Sequence, residues 1–198
     1  MKGEDEYSRP CNCGGSSRRK VLVSALALGV GVTAEAAAET PANERRPVPG
    51  DQLVFSSGPN KDKPIRVEDL PLGGPQELAF PMDKASGEVR SGSRFNEVAV
   101  LRLDPEALSA TSKAGAVDGV IAYSAICPHE GCPVSMWEPD RQNLFCSCHG
   151  SQFDPRDAAT VVEGPAQRRL AMLPLKVEDG VLTVAAEFKG RVGIYRPS

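Results

Sequence analysis

Two short stretches decide how this sequence reads: Cys127-Pro128-His129-Glu130-Gly131-Cys132 and Cys146-Ser147-Cys148-His149-Gly150-Ser151. They hold both histidines of the 198-residue chain and four of its six cysteines; the other two are Cys11 and Cys13. Chance scatter does not gather every histidine and most cysteines between residues 127 and 149, so this window is a site. Its spacing is C-x-H, sixteen residues, then C-x-x-H. Each half offers one thiolate and one imidazole from a tight loop. Cys132 and Cys148 are left over, one on each loop.

Two thiolates on one iron and two imidazoles on the other, with bridging sulfides between, make a mixed-ligand [2Fe–2S] centre. Neutral imidazoles in place of thiolates lower the negative charge at the metal. That raises the reduction potential into roughly the −150 to +300 mV range, far above plant-type ferredoxins. A disulfide between Cys132 and Cys148 would clip the two loops together, and such a bond persists only in an oxidising compartment. A zinc-stabilised binding module is the alternative. Against it, C-x-H is a cramped zinc half-site and zinc leaves Cys132 and Cys148 unexplained. A pure disulfide framework leaves both histidines at ligand spacing by accident.

Working outward, composition sets the frame. The chain is 40% hydrophobic and 25% charged, as a packed domain requires. Aromatics are only 5%, which argues against a stacking platform for nucleic acid. The net charge is −3, so no general electrostatic attraction to nucleic acid or to an anionic membrane is expected.

Residues 1–36 read as an export leader. Ser17-Arg18-Arg19-Lys20-Val21-Leu22-Val23 resembles a twin-arginine signal, and the apolar run 22–32 that follows is shorter than the ~20 residues a spanning helix needs. Ala34-Glu35-Ala36 and Ala36-Ala37-Ala38 each offer a small-x-small cleavage site. Cleavage is favoured over an uncleaved anchor, so a membrane association is expected only if the leader is retained. Either way the remainder ends up outside the cytoplasm, in the periplasm. Cys11 and Cys13 fall in this leader and take no role.

Residues 37–50, with three prolines and several charges, read as a linker, and 51–198 as the folded domain. Short apolar runs between Pro, Gly, Asp and Asn predict strands over 52–55, 78–80, 98–103, 119–123, 144–146, 172–177 and 181–184. Glu178-Asp179-Gly180 predicts a hairpin turn. Only 105–112 looks helical. The fold class is all-β: a small antiparallel sandwich or barrel with a loop-rich, cluster-binding subdomain inserted at about 125–166. Trp137, the only tryptophan, is expected in packing.

The two boxes resemble those of the Rieske proteins of cytochrome bc-type complexes, C-T-H-x-G-C and C-P-C-H-G-S. The resemblance implies the Rieske fold and one [2Fe–2S] cluster. It assigns Cys127, His129, Cys146 and His149 as ligands and Cys132 with Cys148 as the disulfide. Gly164-Pro165-Ala166 resembles the proline loop that covers the cluster in those proteins. Outside the boxes, Ala122-Tyr123-Ser124-Ala125-Ile126-Cys127, Gly131-Cys132-Pro133-Val134, Phe153-Asp154-Pro155 and the 190–195 tail look like the small subunit of arsenite oxidase. The likeness spans roughly residues 95–195.

There are departures. Phe153 stands where high-potential members carry a Tyr whose hydroxyl bonds a ligand sulfur, which lowers the expected potential. Glu130 stands where quinol-oxidising members carry Leu; by itself it reads as a solvated loop charge. Ser147 replaces a proline, and Ser151 keeps the other hydroxyl that bonds the cluster. The function implied is one-electron transfer as the small subunit of an exported oxidoreductase, with the exposed imidazoles coupling the electron to protons. The partner implied is a larger catalytic redox subunit: a molybdenum enzyme of the arsenite oxidase kind, or else the cytochrome b of a quinol–cytochrome c reductase. A cytochrome-type carrier would accept the electron. A self-contained Rieske oxygenase needs a further iron on two histidines and a carboxylate. Both histidines are already used, so no substrate-converting site is expected in this chain.

Overall fold

The structure is a computed structural model that describes residues 39–194; the leader, its two cysteines and the cleavage sites lie outside the described residues. Two antiparallel sheets form the domain. The larger contains β1 (Gln52–Phe55), β2 (Glu77–Met82), β3 (Val98–Arg102) and β4 (Val120–Ser124). The smaller follows in the chain, with β5 (Met136–Glu138), β6 (Asn143–Cys146), β7 (Ser151–Asp154) and β8 (Thr160–Glu163). The chain then returns to the first sheet as β9 (Leu175–Glu178) and β10 (Val181–Val184), giving the orders β4-β3-β2-β1-β10-β9 and β5-β6-β7-β8.

The larger sheet curls toward closure. Just before β9, the Ser124 N–H donates to Ala171 O (2.8 Å) and the Leu173 N–H to Ala122 O (2.9 Å), which ties the returning chain to β4. The insert therefore leaves and re-enters the barrel at neighbouring residues.

Strands β3 and β4 are buried on both faces, which explains why Val-Ala-Val-Leu and Val-Ile-Ala-Tyr read as continuous apolar runs rather than alternating ones. Val98, Val100, Val120 and Ala122 face the barrel interior with Leu53, Ile65, Leu173 and Leu182. Ala99, Leu101, Ile121 and Tyr123 face outward into a second core with Leu144, Phe153, Cys127 and Cys146. Each large apolar side chain so buried contributes about 1.5–3 kcal/mol. The β3–β4 pair is thus the common wall between barrel and insert.

The Asp179-Gly180 hairpin forms as expected, with φ of 52° and 75° and Val181 facing Glu178. Three expectations shift. The 172–177 strand begins only at Leu175, because Pro174 has no N–H for the ladder. The 105–112 helix splits. A 3-10 turn, Pro105–Ala107, is capped by Asp104, and α1 (Ala110–Lys113) is capped by Ser109, with Leu108 extended between them. The loop-rich insert holds three strands beyond the expected one at 144–146: β5, β7 and β8 join β6 in a four-stranded sheet.

The segment read as a linker is packed along the domain over residues 41–50. Asn96 Nδ2 donates to Arg45 O (2.8 Å) and the Gly92 N–H to Asn43 O (3.0 Å). Just beyond, the buried Arg90 holds Asp51 through two bonds of 2.6 and 2.9 Å. That ion pair fixes where the segment joins β1.

Candidate metal centre

Both cysteine–histidine loops grow from the wall and its partner sheet. Loop 1 leaves β4 through Ala125 and Ile126. The Ala125 N–H donates to Glu97 O (2.9 Å), Val134 N–H to Ala125 O (2.8 Å) and Cys127 N–H to Cys132 O (2.8 Å), so the loop closes as a tight hairpin. Loop 2 joins β6 to β7, with Cys146 opposite Ser151.

The loops share a turn. In each, the glycine four residues after the first cysteine returns its N–H to that cysteine's carbonyl: Gly131 to Cys127 O (2.9 Å) and Gly150 to Cys146 O (3.1 Å). Both glycines have positive φ, 74° and 76°, a region where an L side chain costs about 1–2 kcal/mol. The common spacing C-x-x-x-G was visible in the sequence but hidden by the different histidine offsets. Arg94 Nη1 also braces loop 1, donating to Gly131 O (2.8 Å). No sequence signal pointed to it.

Cys132 and Cys148 form a disulfide between the loops, with Cα atoms 6.5 Å apart. Cys127 and Cys146 stay free and buried. The sulfurs of Cys132, Cys146 and Cys148 lie within 4.8 Å of one another, yet two of them are spent on the disulfide, so this trio is no metal site. Burial pushes the Cys146 thiol up, and the adjacent Cys127 adds to this, while the backbone N–H groups of Cys148 and His149 pull the other way. The rings of His129 and His149 meet edge to face, with centroids 4.8 Å apart. His129 Nδ1 is buried without a hydrogen-bond partner. An unpaired buried acceptor is costly, and a metal ion would satisfy it. Two buried thiols and two adjoining imidazoles, one with an orphaned nitrogen, fit a mixed Cys/His cluster.

The remaining expected residues surround this group. Gly164 presses on loop 2: a Cβ there would lie 2.5 Å from Ser151 Cα and 2.7 Å from Gly150 O. Pro165 follows, exposed, and the Ala166 N–H donates to the buried Ser151 Oγ (3.2 Å), leaving the Ser151 proton free to donate. Phe153 is fully buried and lies two residues along β7 from Ser151, hence on the same face. Ser147 is exposed. Glu130 is exposed and lines a cleft of about 410 Å³ with Pro128, His129, Gln167 and Arg168. Trp137 packs half-buried against the second core, as expected.

Tyr123 supports the site from beneath, a role its sequence did not disclose. Its hydroxyl donates to Pro155 O (2.9 Å) and lies 3.3 Å from Ser112 Oγ, while Ser112 Oγ also accepts from the Ala158 N–H (2.8 Å). This buried network anchors the turn that follows β7. Burial pushes the Tyr123 phenol up to about 12.

Comparison with known proteins agrees with this geometry. A family model for the Rieske [2Fe–2S] domain matches residues 82–174. A cytochrome bc1 complex Rieske iron-sulfur subunit from Streptomyces lividans is 33% identical over 162 residues, covering 74% of this chain and 93% of that protein. A putative respiratory nitrate reductase subunit Rieske from Haloferax mediterranei is 34% identical over 177 residues, covering 86% of this chain and 75% of that one. The chain spans only 45% and 34% of the longer bc1 subunits of Streptomyces coelicolor and Mycobacterium tuberculosis. Among solved structures, the plasma membrane Rieske protein of Synechocystis aligns over 52% of this chain and 90% of its own, with a TM-score of 0.35 at 27% identity. With the thiols, the imidazoles and the clipped loops in place, the family model and the Streptomyces lividans and Haloferax mediterranei relatives make the chain a member of the Rieske [2Fe–2S] protein family, an electron-transfer protein with one such cluster.

Proposed function

We propose that this chain is the one-electron relay subunit of an exported respiratory oxidoreductase, with Cys127 and Cys146 on one iron and His129 and His149 on the other. The observation that carries the reading is the juxtaposition of two buried free thiols with two facing imidazoles, between loops joined by Cys132–Cys148. The cluster supplies reversible one-electron chemistry when bound. Leu144, Phe153 and Val134, all fully buried, keep water from the thiol side. His149 is exposed and opens the other side to a partner. Ser151 accepts from the Ala166 N–H and so keeps its own proton to donate, and Gly164, followed by the exposed Pro165, packs against loop 2.

Replacement of Cys127, His129, Cys146 or His149 by Ala tests the ligand set, since no other histidine exists and no spare thiol is free among the described residues. Each variant should lose its visible absorption and its iron; an intact Rieske spectrum in His149→Ala would sink the assignment.

The partner is a larger catalytic redox subunit that delivers electrons, with a cytochrome-type carrier accepting them. A molybdenum subunit of the arsenite oxidase kind is the first choice. Its support is the likeness over 122–127, 131–134 and 153–155, together with an acidic Glu130 at the mouth. A cytochrome b of a quinol–cytochrome c reductase is the second, favoured by relatives that are bc1 subunits. Co-purification of the tagged chain from its host separates them by a molybdenum-containing or a haem-containing partner. Residues 1–36 act as a twin-arginine leader that sends the folded protein to the periplasm, with cleavage near residues 36–38. No helix among the described residues is long and apolar enough to cross a membrane.

A further inference from the structure

Arginines gather on the flank of loop 1. The guanidinium groups of Arg46 and Arg94 both lie over the Phe95 ring, 5.8 and 5.2 Å from its centroid. Gly193 sits against the same ring, where an added Cβ would be 2.7 Å from Cε1. Arg168 in turn donates to the carbonyl oxygens of Gly193 and Arg191. Two clefts open beside them. One, about 460 Å³, is lined by Arg46, Arg191 and Glu187; the other, about 410 Å³, is lined by Arg168, His129 and Glu130. Burial and the neighbouring Arg191 charge both push the Arg168 guanidinium down, as expected where like charges crowd.

What holds these groups is neutral. Arg46 donates to Phe95 O (3.1 Å), Arg94 to Gly131 O (2.8 Å), and Arg168 to the two carbonyls above. Among the described residues Arg45, Arg90, Arg141 and Arg156 are paired with carboxylates, whereas Arg46, Arg94 and Arg168 are in no ion pair. Their charge is therefore uncancelled at the bonds that position them. It stands out on a chain whose net charge is −3.

We propose that Arg46, Arg94 and Arg168 form a positively charged docking surface, beside His129, for the acidic face of a redox partner protein. This rests on the relay reading above. Complementary charge next to the electron exit speeds encounter and orients the partner, which is where such patches act most strongly. A redox protein gains from proximity to His129; a lipid surface does not.

The test uses the cluster-loaded chain and two protein probes of opposite charge, acidic plastocyanin and basic horse-heart cytochrome c, in stopped-flow oxidation at low and high salt. Wild type should reduce plastocyanin faster at low salt. Arg46→Gln/Arg168→Gln, which leaves the Arg94 brace of loop 1 in place, should lose about tenfold of that low-salt rate. Its rate should meet wild type at high salt, and Arg46→Lys/Arg168→Lys should keep the wild-type behaviour. Cytochrome c should show the reverse salt trend. Plastocyanin rates that are unchanged in the Gln variant, or that rise with salt in wild type, would overturn the patch. So would a Gln variant that keeps its plastocyanin rates and only stops pelleting with phosphatidylglycerol vesicles. The visible spectrum and midpoint of each variant separate the two claims. A chain without a Rieske spectrum fails the relay reading itself; an intact spectrum with charge-blind rates fails only the docking surface.

Discussion

Phe153→Tyr separates an electronic from a packing role at the buried side of the cluster. Phe153 has no exposed surface, pairs with Leu144 across β6 and β7, and belongs to the core that contains Cys127 and Cys146. A hydroxyl added to this ring has two possible fates. If it reaches a ligand sulfur, it donates a hydrogen bond that strengthens when reduction adds negative charge to the cluster. A differential of about 1 kcal/mol corresponds to roughly 40 mV for a one-electron couple. If it finds no acceptor, a buried unsatisfied hydroxyl costs about 1–3 kcal/mol. At 2–4 °C per kcal/mol for a domain of this size, that is a loss of about 2–12 °C in Tm. Protein-film voltammetry and thermal melts on one preparation distinguish the outcomes. The expected result is a midpoint raised by tens of millivolts with Tm held. Ser151→Ala should lower the midpoint by a similar amount. A Phe153→Tyr midpoint that is unchanged or lower, with the visible spectrum intact, would show that the ring does not face the sulfur.

Other expectations follow from the same geometry. The Cys132–Cys148 bond joins residues 16 apart, which in the chain-entropy description stabilises by about 3 kcal/mol. Cys132→Ser/Cys148→Ser should therefore assemble a cluster that bleaches at lower temperature, and bleaching at the wild-type temperature would reject the clip. Burial raises Tyr123 to about 12 against about 10 when unfolded, so its contribution is full below pH ~10 and is lost as pH climbs through 12. Tyr123→Phe should flatten the alkaline fall of the urea midpoint across that window; a fall as steep as in wild type would remove Tyr123 as its cause. Arg18→Lys/Arg19→Lys should strand the protein in the cytoplasm, and its normal appearance in the periplasm would end the twin-arginine reading.

The sequence disclosed the barrel better than the insert, for a physical reason. Strands such as Val98–Arg102 and Val120–Ser124 are buried on both faces, so each shows as an unbroken apolar run. Ser151–Asp154 and Met136–Glu138 are short, partly polar and bordered by turns. Only pairing within the small sheet makes them strands. The candidate ligands were legible because two histidines and four cysteines in one window have few other uses. Arg94 and the Tyr123–Ser112 network were not, because each acts through a backbone group distant in sequence, Gly131 O or Pro155 O, and leaves no local pattern.

The hydrogen bond from Ser124 to Ala171 places the departure and the return of the insert side by side on the edge of the barrel. Topologically the insert is a cassette with a single doorway. A different cassette, with another potential or another docking face, fits through the same doorway without rethreading a strand. The doorway cannot simply be sealed, however. Ala99, Leu101, Ile121 and Tyr123 line its inner wall, and a barrel stripped of its insert would turn that apolar face to water. The cassette is exchangeable but not dispensable, and redox character can diverge along such a lineage while the barrel stays the same.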